Sequence, residues 1–508
     1  MVETTATYPN GRGGRKINDN PQPDTWKKID LSREEHEHVF LNVPDLDEDN
    51  FYKLAELLGI WRNRLVKNQL RYRYYNGNTH LKDIGIAIPP VLRNRCEMVV
   101  GWPMKAVDAL ATRSRFDGWT ATDPTVQAML DSMSERSRLG LRYRQNAVSQ
   151  LIYGCSFATM GLVDGKARID LYSAENASAV WDDAKGRIAY GMTIQQFHRG
   201  HPAEINLYTD DARVHLWDTF EGYWDFEVEP YSMGRPTMDV FAYRPTYRKP
   251  MGQSRITDPV MTLTDEAVRE SFRSVLTAEF FTSPQKYLLG ADPSALNGQT
   301  KWEAYIGNIF AVSRDANGDI PQFGQLSQGS MQPHTEYMRS LAARFAGETN
   351  VPLHMLGIVS DNPSSAQAIY AANEPLIIEA EDLNAGARDT LKSLALMCVA
   401  GELGVPLDEL TDEQKDLSAN FASPAMPSVV SQTDAAVKIA SVVPEFAGTS
   451  SFWKMIGMPE DARREVEAEI RKNNSREILS ALFSSNAEQQ IETTAAADVA
   501  ETIADEGE

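Results

Sequence analysis

Cysteine and long apolar runs are scarce in this chain of 508 residues. Its three cysteines, Cys96, Cys155 and Cys398, are far apart and show neither a disulfide nor a metal-binding spacing, so we predict thiols in the core and a reducing compartment. No stretch of about 18 apolar residues occurs, so we predict no membrane-spanning helix. The first residues, "MVETTATYPNGRGGRK", lack an apolar segment, so we expect no signal peptide.

Basic residues are also under-represented, because 50 Lys and Arg oppose 71 Asp and Glu and give a net charge of −21. A protein that holds nucleic acid through its phosphates normally has the opposite sign, since its affinity comes from counterion release. Two interpretations of the acidity stay open. One is solubility, and the other is a surface that lies near DNA without holding it.

The first half of the chain changes from helical to strand periodicity. Apolar spacing predicts helices over 48–70, 91–113 and 124–152. From 156 to about 245, alternating residues separated by turns predict a β-rich stretch. Its three clearest segments are "ARIDLY" (167–172), "SAVWDDAKGRIAYGMTI" (178–194) and "INLYTDDARVHLWD" (205–218).

The second half predicts long helices. Asp258 caps and Pro259 starts a helix over 258–282. A compact segment with the strand "NIFAV" (308–312) follows, and further helices are predicted over 332–347 and 364–400. A polar, Gly-rich composition predicts disorder for residues 1–22. An excess of acidic residues without bases predicts disorder for the tail 485–508.

Most local motifs favour ordinary structure over chemistry. "WRNRLVKNQLRYRYY" (61–75) interleaves basic and aromatic residues, as single-strand binders do, but an amphipathic helix with a solvated basic face is favoured. "EEHEH" (34–38) offers His36 and His38 without a third ligand. "DANGD" (315–319) favours a hairpin turn over a calcium loop, and "GLVDGKA" (161–167) lacks the spacing of a phosphate loop. We therefore predict no metal and no cofactor.

The stretch "VPLHMLGIVSDNPSSAQAIY" (351–370) has the composition of an active-site loop. His354 and Ser364 could form a base and a nucleophile, which would make the protein a hydrolytic enzyme acting through residues 354–365. However, Asn362, Pro363 and the serines are also explained by a helix start. The loop lacks a strained nucleophile turn. The enzyme remains the alternative hypothesis.

The order of these segments resembles that of bacteriophage portal proteins, the ring-shaped head-to-tail connectors of tailed double-stranded DNA phages. Residues 339–384 resemble the family's signature, and 74–119, 151–173 and 431–443 are similar to its other segments. The resemblance covers roughly 50 to 470. Pro375 departs from it and should kink the long helix. The signature positions are Val351, Pro352, Leu356, Gly357, Asn362, Pro363, Ser365, Ala366, Ala368 and Ile369.

The resemblance implies an α+β, mainly helical subunit with wing, stem, clip, tunnel-loop and crown regions that assembles into a ring. The implied divisions are a disordered arm (1–22), wing (23–256), stem helix (257–282), clip (283–330), second stem helix (331–348), tunnel loop (349–363), long kinked helix (364–402), helical crown (403–484) and acidic disordered tail (485–508).

It further implies a dodecameric ring at one capsid vertex of the virion, formed in the host cytoplasm and without enzyme activity. The ring would pass double-stranded DNA non-specifically during packaging and ejection. The implied partners are the terminase large subunit, a head-tail adaptor, and the major capsid and scaffolding proteins, and no membrane is involved.

Three sets of site residues follow from this reading. The DNA-channel set is Val351, Pro352, His354, Gly357, Asn362 and Ser364. The acids of the channel wall are Glu374, Glu379, Glu381 and Asp382. The stem-packing residues, expected to be partly buried between subunits, are Phe272, Val275, Leu276, Phe280, Leu341 and Phe345.

Overall fold

A computed structural model describes most of the chain between residues 28 and 444. The described residues are 28–30, 40–78, 98–282, 286–289, 320, 322–325, 330–358, 366–425 and 429–444, with single residues between 446 and 472. The chain divides into two compact units, Met1–Pro424 and Ala425–Glu508.

The first unit mixes helices with antiparallel sheets, which confirms the predicted mixed class. Its helices are α1 (Glu48–Asn76), α2 (Trp102–Ala111), α3 (Pro124–Ser137), α4 (Leu139–Tyr153), α5 (Asp258–Thr282), α6 (Gln332–Thr349), α7 (Ala366–Leu403) and α8 (Asp412–Lys415). Its strands are β1 (Lys28–Asp30), β2 (Phe40–Asn42), β3 (Phe116–Ala121), β4 (Cys155–Val163), β5 (Lys166–Ser173), β6 (Ala177–Asp182), β7 (Arg187–His198), β8 (His201–Tyr208), β9 (Ala212–Asp218), β10 (Trp224–Pro230), β11 (Met238–Ala242), β12 (Lys286–Leu289), β13 (Gln322–Gln325) and β14 (Leu417–Phe421).

Helix α1 covers a five-stranded sheet of order β10-β9-β8-β7-β6. Asp47 caps the helix by accepting a hydrogen bond from the Asn50 amide at 2.9 Å. The helix runs to Asn76, beyond the predicted end at 70, because tertiary contacts hold its last turns. There Tyr74 donates to Asp265 at 2.9 Å and Tyr75 donates to Asp108 at 3.0 Å. These bonds agree with the favoured reading of the basic-aromatic motif, in which the tyrosines pack.

A three-stranded sheet of order β11-β4-β5 lies in the largest hydrophobic core. The β4–β5 hairpin turns at Asp164 and Gly165, both with positive φ (52° and 73°), as a two-residue hairpin of this kind requires. The glycines of the 161–167 motif therefore belong to a hairpin. The C-terminal half of α7 packs into the same core through Leu391, Leu394 and Met397.

Two predicted helices differ from the observed ones. The segment 124–152 is divided at Arg138, whose left-handed φ of 50° ends α3 and begins α4. The division lets both helices bury residues in one core, among them Met133 and Leu139. Helix α2 begins only at Trp102, and residues 98–100 before it are not helical.

A strand interrupts the beginning of the expected helical crown over 403–484. Residues 417–421 form β14, which pairs antiparallel with β3, almost 300 residues earlier (Leu417 opposite Ala121). Residues up to Pro424 therefore belong to the first unit. In the second unit, α9 (Val429–Val442) is described, and the rings of Phe446 and Phe452 meet edge to face at 5.9 Å.

Helices α5 and α6 are the two predicted around the compact segment, and they pack against each other. His334 of α6 contacts Glu270 of α5 at 2.6 Å, and β12 pairs with β13 beyond their ends. Helix α7 continues through Pro375. Among the described residues, no helix has the length and apolarity needed to cross a membrane.

Candidate functional site

A tight turn follows the end of α6 and is described up to residue 358. Asn350 ends α6 in the left-handed conformation, with φ 54°. Val351 and Pro352 follow as buried residues, and Leu353–Leu356 form a single 3₁₀ turn. Gly357 closes that turn at φ 85°, where a side chain would be strained.

This turn is anchored to the protein core. Met355, Leu356 and Ile358 are partly buried against the main core, and the Met355 amide donates to the Pro352 carbonyl at 2.9 Å. The apolar face of the turn thus points inward while His354 is exposed. Within the predicted channel set, His354 and Gly357 are therefore accessible, whereas Val351 and Pro352 are not. Asn362 and Ser364 lie outside the described residues.

A buried arginine, Arg255, positions the end of α6 and hence the turn. Its Nε donates to the Ala106 carbonyl of α2 at 2.7 Å, and its Nη2 donates to the Thr349 carbonyl in the last turn of α6. A cation at a helix C-terminus also offsets the helix dipole. The side chain is 3% exposed, so these contacts are shielded from water.

The carboxylate partner of Arg255 is Glu379 of α7, which is 6% exposed. Glu379 accepts from the Tyr243 hydroxyl and from Arg255, and it pairs with Arg244 at 2.8 Å. Asn350 donates to its other oxygen at 3.3 Å. We call Arg255, Glu379 and Tyr243 the ionic anchor.

The anchor shifts the titration of its members. Burial by itself would raise the pKa of Glu379, but the charge of Arg255 and the hydrogen bonds from Tyr243 and Arg255 together hold that pKa below its usual 4.5. Burial raises the pKa of Tyr243 to about 12. The anchor is thus a charged, fully hydrogen-bonded cluster at neutral pH, and it ties α2, α6, α7 and the residues before α5 together.

The ionic anchor shows that the prediction for one of the four wall acids is wrong. Glu379 cannot face a channel, because it is buried and paired with Arg255. The other three predicted acids, Glu374, Glu381 and Asp382, are exposed on α7. Their helix positions leave them accessible while Leu376, Ala380 and Leu383 enter the core.

The stem-packing set also divides by burial. Phe272, Leu341 and Phe345 are at most 3% exposed within the single subunit, so their burial does not require a neighbouring subunit. Val275 is 40% exposed and Leu276 is half-buried, and the side chain of Phe280 lies outside the described residues. Among the described side chains of this set, Val275 has the most surface left for a subunit contact.

The described residues contain no assembled catalytic or metal centre. The His354 imidazole has no hydrogen-bond partner among them, and no group of three His, Cys, Asp or Glu residues there could hold a metal ion. Cys155 and Cys398 are free thiols in the core, and burial raises the pKa of Cys155 to about 12. Two motifs, 34–38 and 315–319, as well as Cys96 and "NIFAV" (308–312), lie outside the described residues.

Sequence reasoning missed the ionic anchor altogether. Arg255 and Glu379 are 124 residues apart, and neither belongs to a recognisable motif. The single signal was Glu379 itself, which falls on the buried side of α7 together with Leu376 and Leu383. A charged residue in an apolar helical stripe indicates a paired, buried ion.

Comparison with known proteins identifies two curated relatives, although no protein-family model matches the chain. The portal protein of Mycobacterium phage D29 is 26% identical over 422 residues, which cover 78% of this chain and 84% of the relative. The portal protein of Mycobacterium phage L5 is 26% identical over 389 residues, which cover 72% of this chain and 77% of the relative. Both relatives confirm the resemblance that the sequence segments indicate.

Solved structures show a weaker similarity. A chain from a structure described as "Virion of native gene transfer agent (GTA) particle" aligns with a TM-score of 0.41 and 12% identity, covering 77% of this chain and 93% of that one. A chain from "Neck of native GTA particle computed with C12 symmetry" aligns with a TM-score of 0.40 and 11% identity, covering 77% of this chain and 98% of that one.

Proposed function

We propose that this relative of the mycobacteriophage portal proteins acts as the portal protein of a tailed phage. The observation that carries the proposal is the pair of relatives, each matched over at least 72% of this chain. The protein is a structural component of the virion rather than an enzyme. The two relatives, both named portal proteins, favour this assignment over the hydrolase hypothesis.

In this role, subunits form a dodecameric ring through which double-stranded DNA passes in either direction. The exposed face of the 353–357 turn and the acids Glu374, Glu381 and Asp382 line part of the passage. An acidic wall repels phosphates, so DNA slides instead of binding. The ionic anchor keeps the turn in place by joining the end of α6 to Glu379 within α7.

The other regions of the subunit have separate roles in the ring. Residues 23–256, with their helices and β-rich part, form the wing. Helices α5 and α6 form the stem, residues 283–330 form the clip, and the residues after Pro424 form the crown. The clip docks the terminase large subunit and later a head-tail adaptor, and the outer surface meets the capsid and scaffolding proteins. Assembly takes place in the host cytoplasm.

The mass of the purified protein tests the ring. A dodecamer of 56.6 kDa subunits has a mass of about 680 kDa. We expect sedimentation velocity and mass photometry to give a species of that mass, and negative-stain images to show rings with a central hole. A protein that stays monomeric or dimeric at all concentrations would contradict the proposal.

A further inference from the structure

The first unit contains a basic cavity that the portal role does not use. It has a volume of about 340 Å³ and lies where α1 meets β4, β6 and the loop 248–253. Five basic side chains line it, and none of the described lining residues is acidic. The five are Arg64, Lys67, Arg71, Arg248 and Lys249. In a chain with net charge −21, this cluster reverses the local sign of the charge, and Asp258 acts electrostatically on Arg71 alone among the five.

Ion pairs with other described residues do not neutralise these five cations. Arg64, Lys67, Arg248 and Lys249 are exposed, and none forms an ion pair with another described residue. Arg71 donates to the Tyr153 carbonyl at 3.0 Å, while its buried Nε has no hydrogen-bond partner in the described structure. Close like charges repel each other, so the arrangement gains free energy when an anion enters.

The cavity floor is apolar and aromatic. Trp61, Tyr153 and Phe157 line it beneath the charged rim, with Ala177 and Met251 beside them. The Tyr153 hydroxyl is already engaged by Glu175, to which it donates at 2.8 Å. The floor therefore offers apolar surface, and the rim offers the hydrogen-bond donors. A cavity of this size and composition is typical of small-molecule sites.

We propose that this cavity binds a nucleotide unit, with its phosphates on the rim and its base against the floor. Five cations exceed what one carboxylate can neutralise, whereas a polyphosphate carries several negative charges. The guanidinium groups match phosphate oxygens in a two-pronged geometry. Inorganic phosphate alone would leave the apolar floor unused, whereas the edges of a base can fill it. The unit comes either from a free nucleotide or from an unpaired nucleotide of a strand.

Fluorescence anisotropy with a fluorescently labelled ATP tests the proposal on the full-length protein. We expect saturable binding that weakens when the salt rises from about 50 mM to about 200 mM. The double variant Arg64→Ala with Arg248→Ala should bind at least about tenfold more weakly, because two exposed donors are lost. Arg73→Ala removes an exposed cation from the same helix, outside the cavity, and should leave the affinity unchanged.

Competition then identifies the source of the unit. Displacement by unlabelled ATP but not by a single-stranded oligonucleotide indicates a free nucleotide, and displacement by both indicates a strand. Three results would overturn the proposal. They are the absence of binding at low salt, equal affinity of the double variant and the parent, and equally tight competition by pyrophosphate or poly-glutamate. The ring mass is measured independently, so either proposal can fail alone.

Discussion

At the scale of single residues, Arg255 makes the contacts on which the turn after α6 depends most. Replacing it with Met removes a buried cation and leaves the Glu379 carboxylate in the interior with Tyr243, Arg244 and Asn350 as its remaining partners. Breaking a buried ion pair in this way costs about 3–5 kcal/mol. We expect urea unfolding of Arg255→Met to show a loss of that size.

Arg244 supplies a matched control for that experiment. It contacts the same carboxylate, but its side chain is 52% exposed. Exposed ion pairs contribute about 1 kcal/mol or less. Arg244→Met should therefore cost much less than Arg255→Met. Equal losses in the two variants would contradict the view that burial determines the strength of the contact.

Glu379 also predicts a pH dependence of stability. Because its pKa is lower in the folded than in the unfolded protein, the contribution is complete above about pH 4.5 and is lost as the pH falls. A Glu379→Gln variant cannot titrate there. We expect it to be less stable than the parent at pH 7, and the difference in the free energy of unfolding should narrow between pH 5 and pH 3.

Urea titrations of both proteins at several pH values measure this difference. Other carboxyl groups titrate in both chains, so they cancel in the comparison. A difference that stays constant or widens toward low pH would mean that the folded protein does not favour the charged form of Glu379.

At the scale of elements, a substitution of Val275 tests whether α5 contributes to the contact between subunits. Its 40% exposure shows that Asp can replace it without burying a charge inside the subunit, whereas Phe272, at 3% exposure, offers no such test. If α5 contributes to the ring, the charge becomes buried between subunits and opposes assembly. We expect Val275→Asp to remain folded by circular dichroism but to lose the ring in sedimentation velocity.

A second exposed valine controls for general effects of a new charge. Val228 on strand β10 is 50% exposed and belongs to the proposed wing. Val228→Asp should keep the ring mass of the parent. Intact rings in Val275→Asp would remove α5 from the proposed subunit interface.

The elements also show what local sequence can and cannot predict. Helices α5 and α6 and the hairpins of β6 to β9 follow from periodicity, because their apolar faces are determined by neighbouring residues. The β3–β14 pairing and the contact of Arg255 with Glu379 join distant parts of the chain, so no local pattern contains them. The break at Arg138 does not follow from the sequence, because its left-handed residue is an arginine and the nearby Gly140 lies inside α4.

The same limit applies to the site. Periodicity placed Glu374, Glu381 and Asp382 on one helix, which is observed, and it left residues 349–363 as a loop, of which 353–356 form a 3₁₀ turn. It could not identify the partners of Glu379, since Arg255 and Tyr243 approach from elsewhere in the fold.

At the scale of the whole molecule, the net negative charge of the chain leads to a prediction about how DNA moves through the proposed ring. If the exposed acids of α7 face the passage, changing Glu374, Glu381 and Asp382 to Lys converts a repulsive wall into an attractive one in every subunit. Each lysine that contacts a phosphate adds favourable counterion release. In the proposed dodecamer, twelve copies of the change would hold DNA in place. We therefore expect normal rings but shortened or stalled packaging.

Complementation of a phage that lacks its own portal gene measures this effect through the length of packaged DNA. The control changes three exposed acids away from α7 to Lys, namely Asp183, Asp211 and Glu413. Both variants alter the net charge equally, so a general effect of charge would slow packaging in both. A defect confined to the α7 variant places the acids on the DNA path, because only a local attraction distinguishes the two rings. Full-length packaging by the α7 variant would show that the acids lie elsewhere on the particle and that the net charge serves solubility alone.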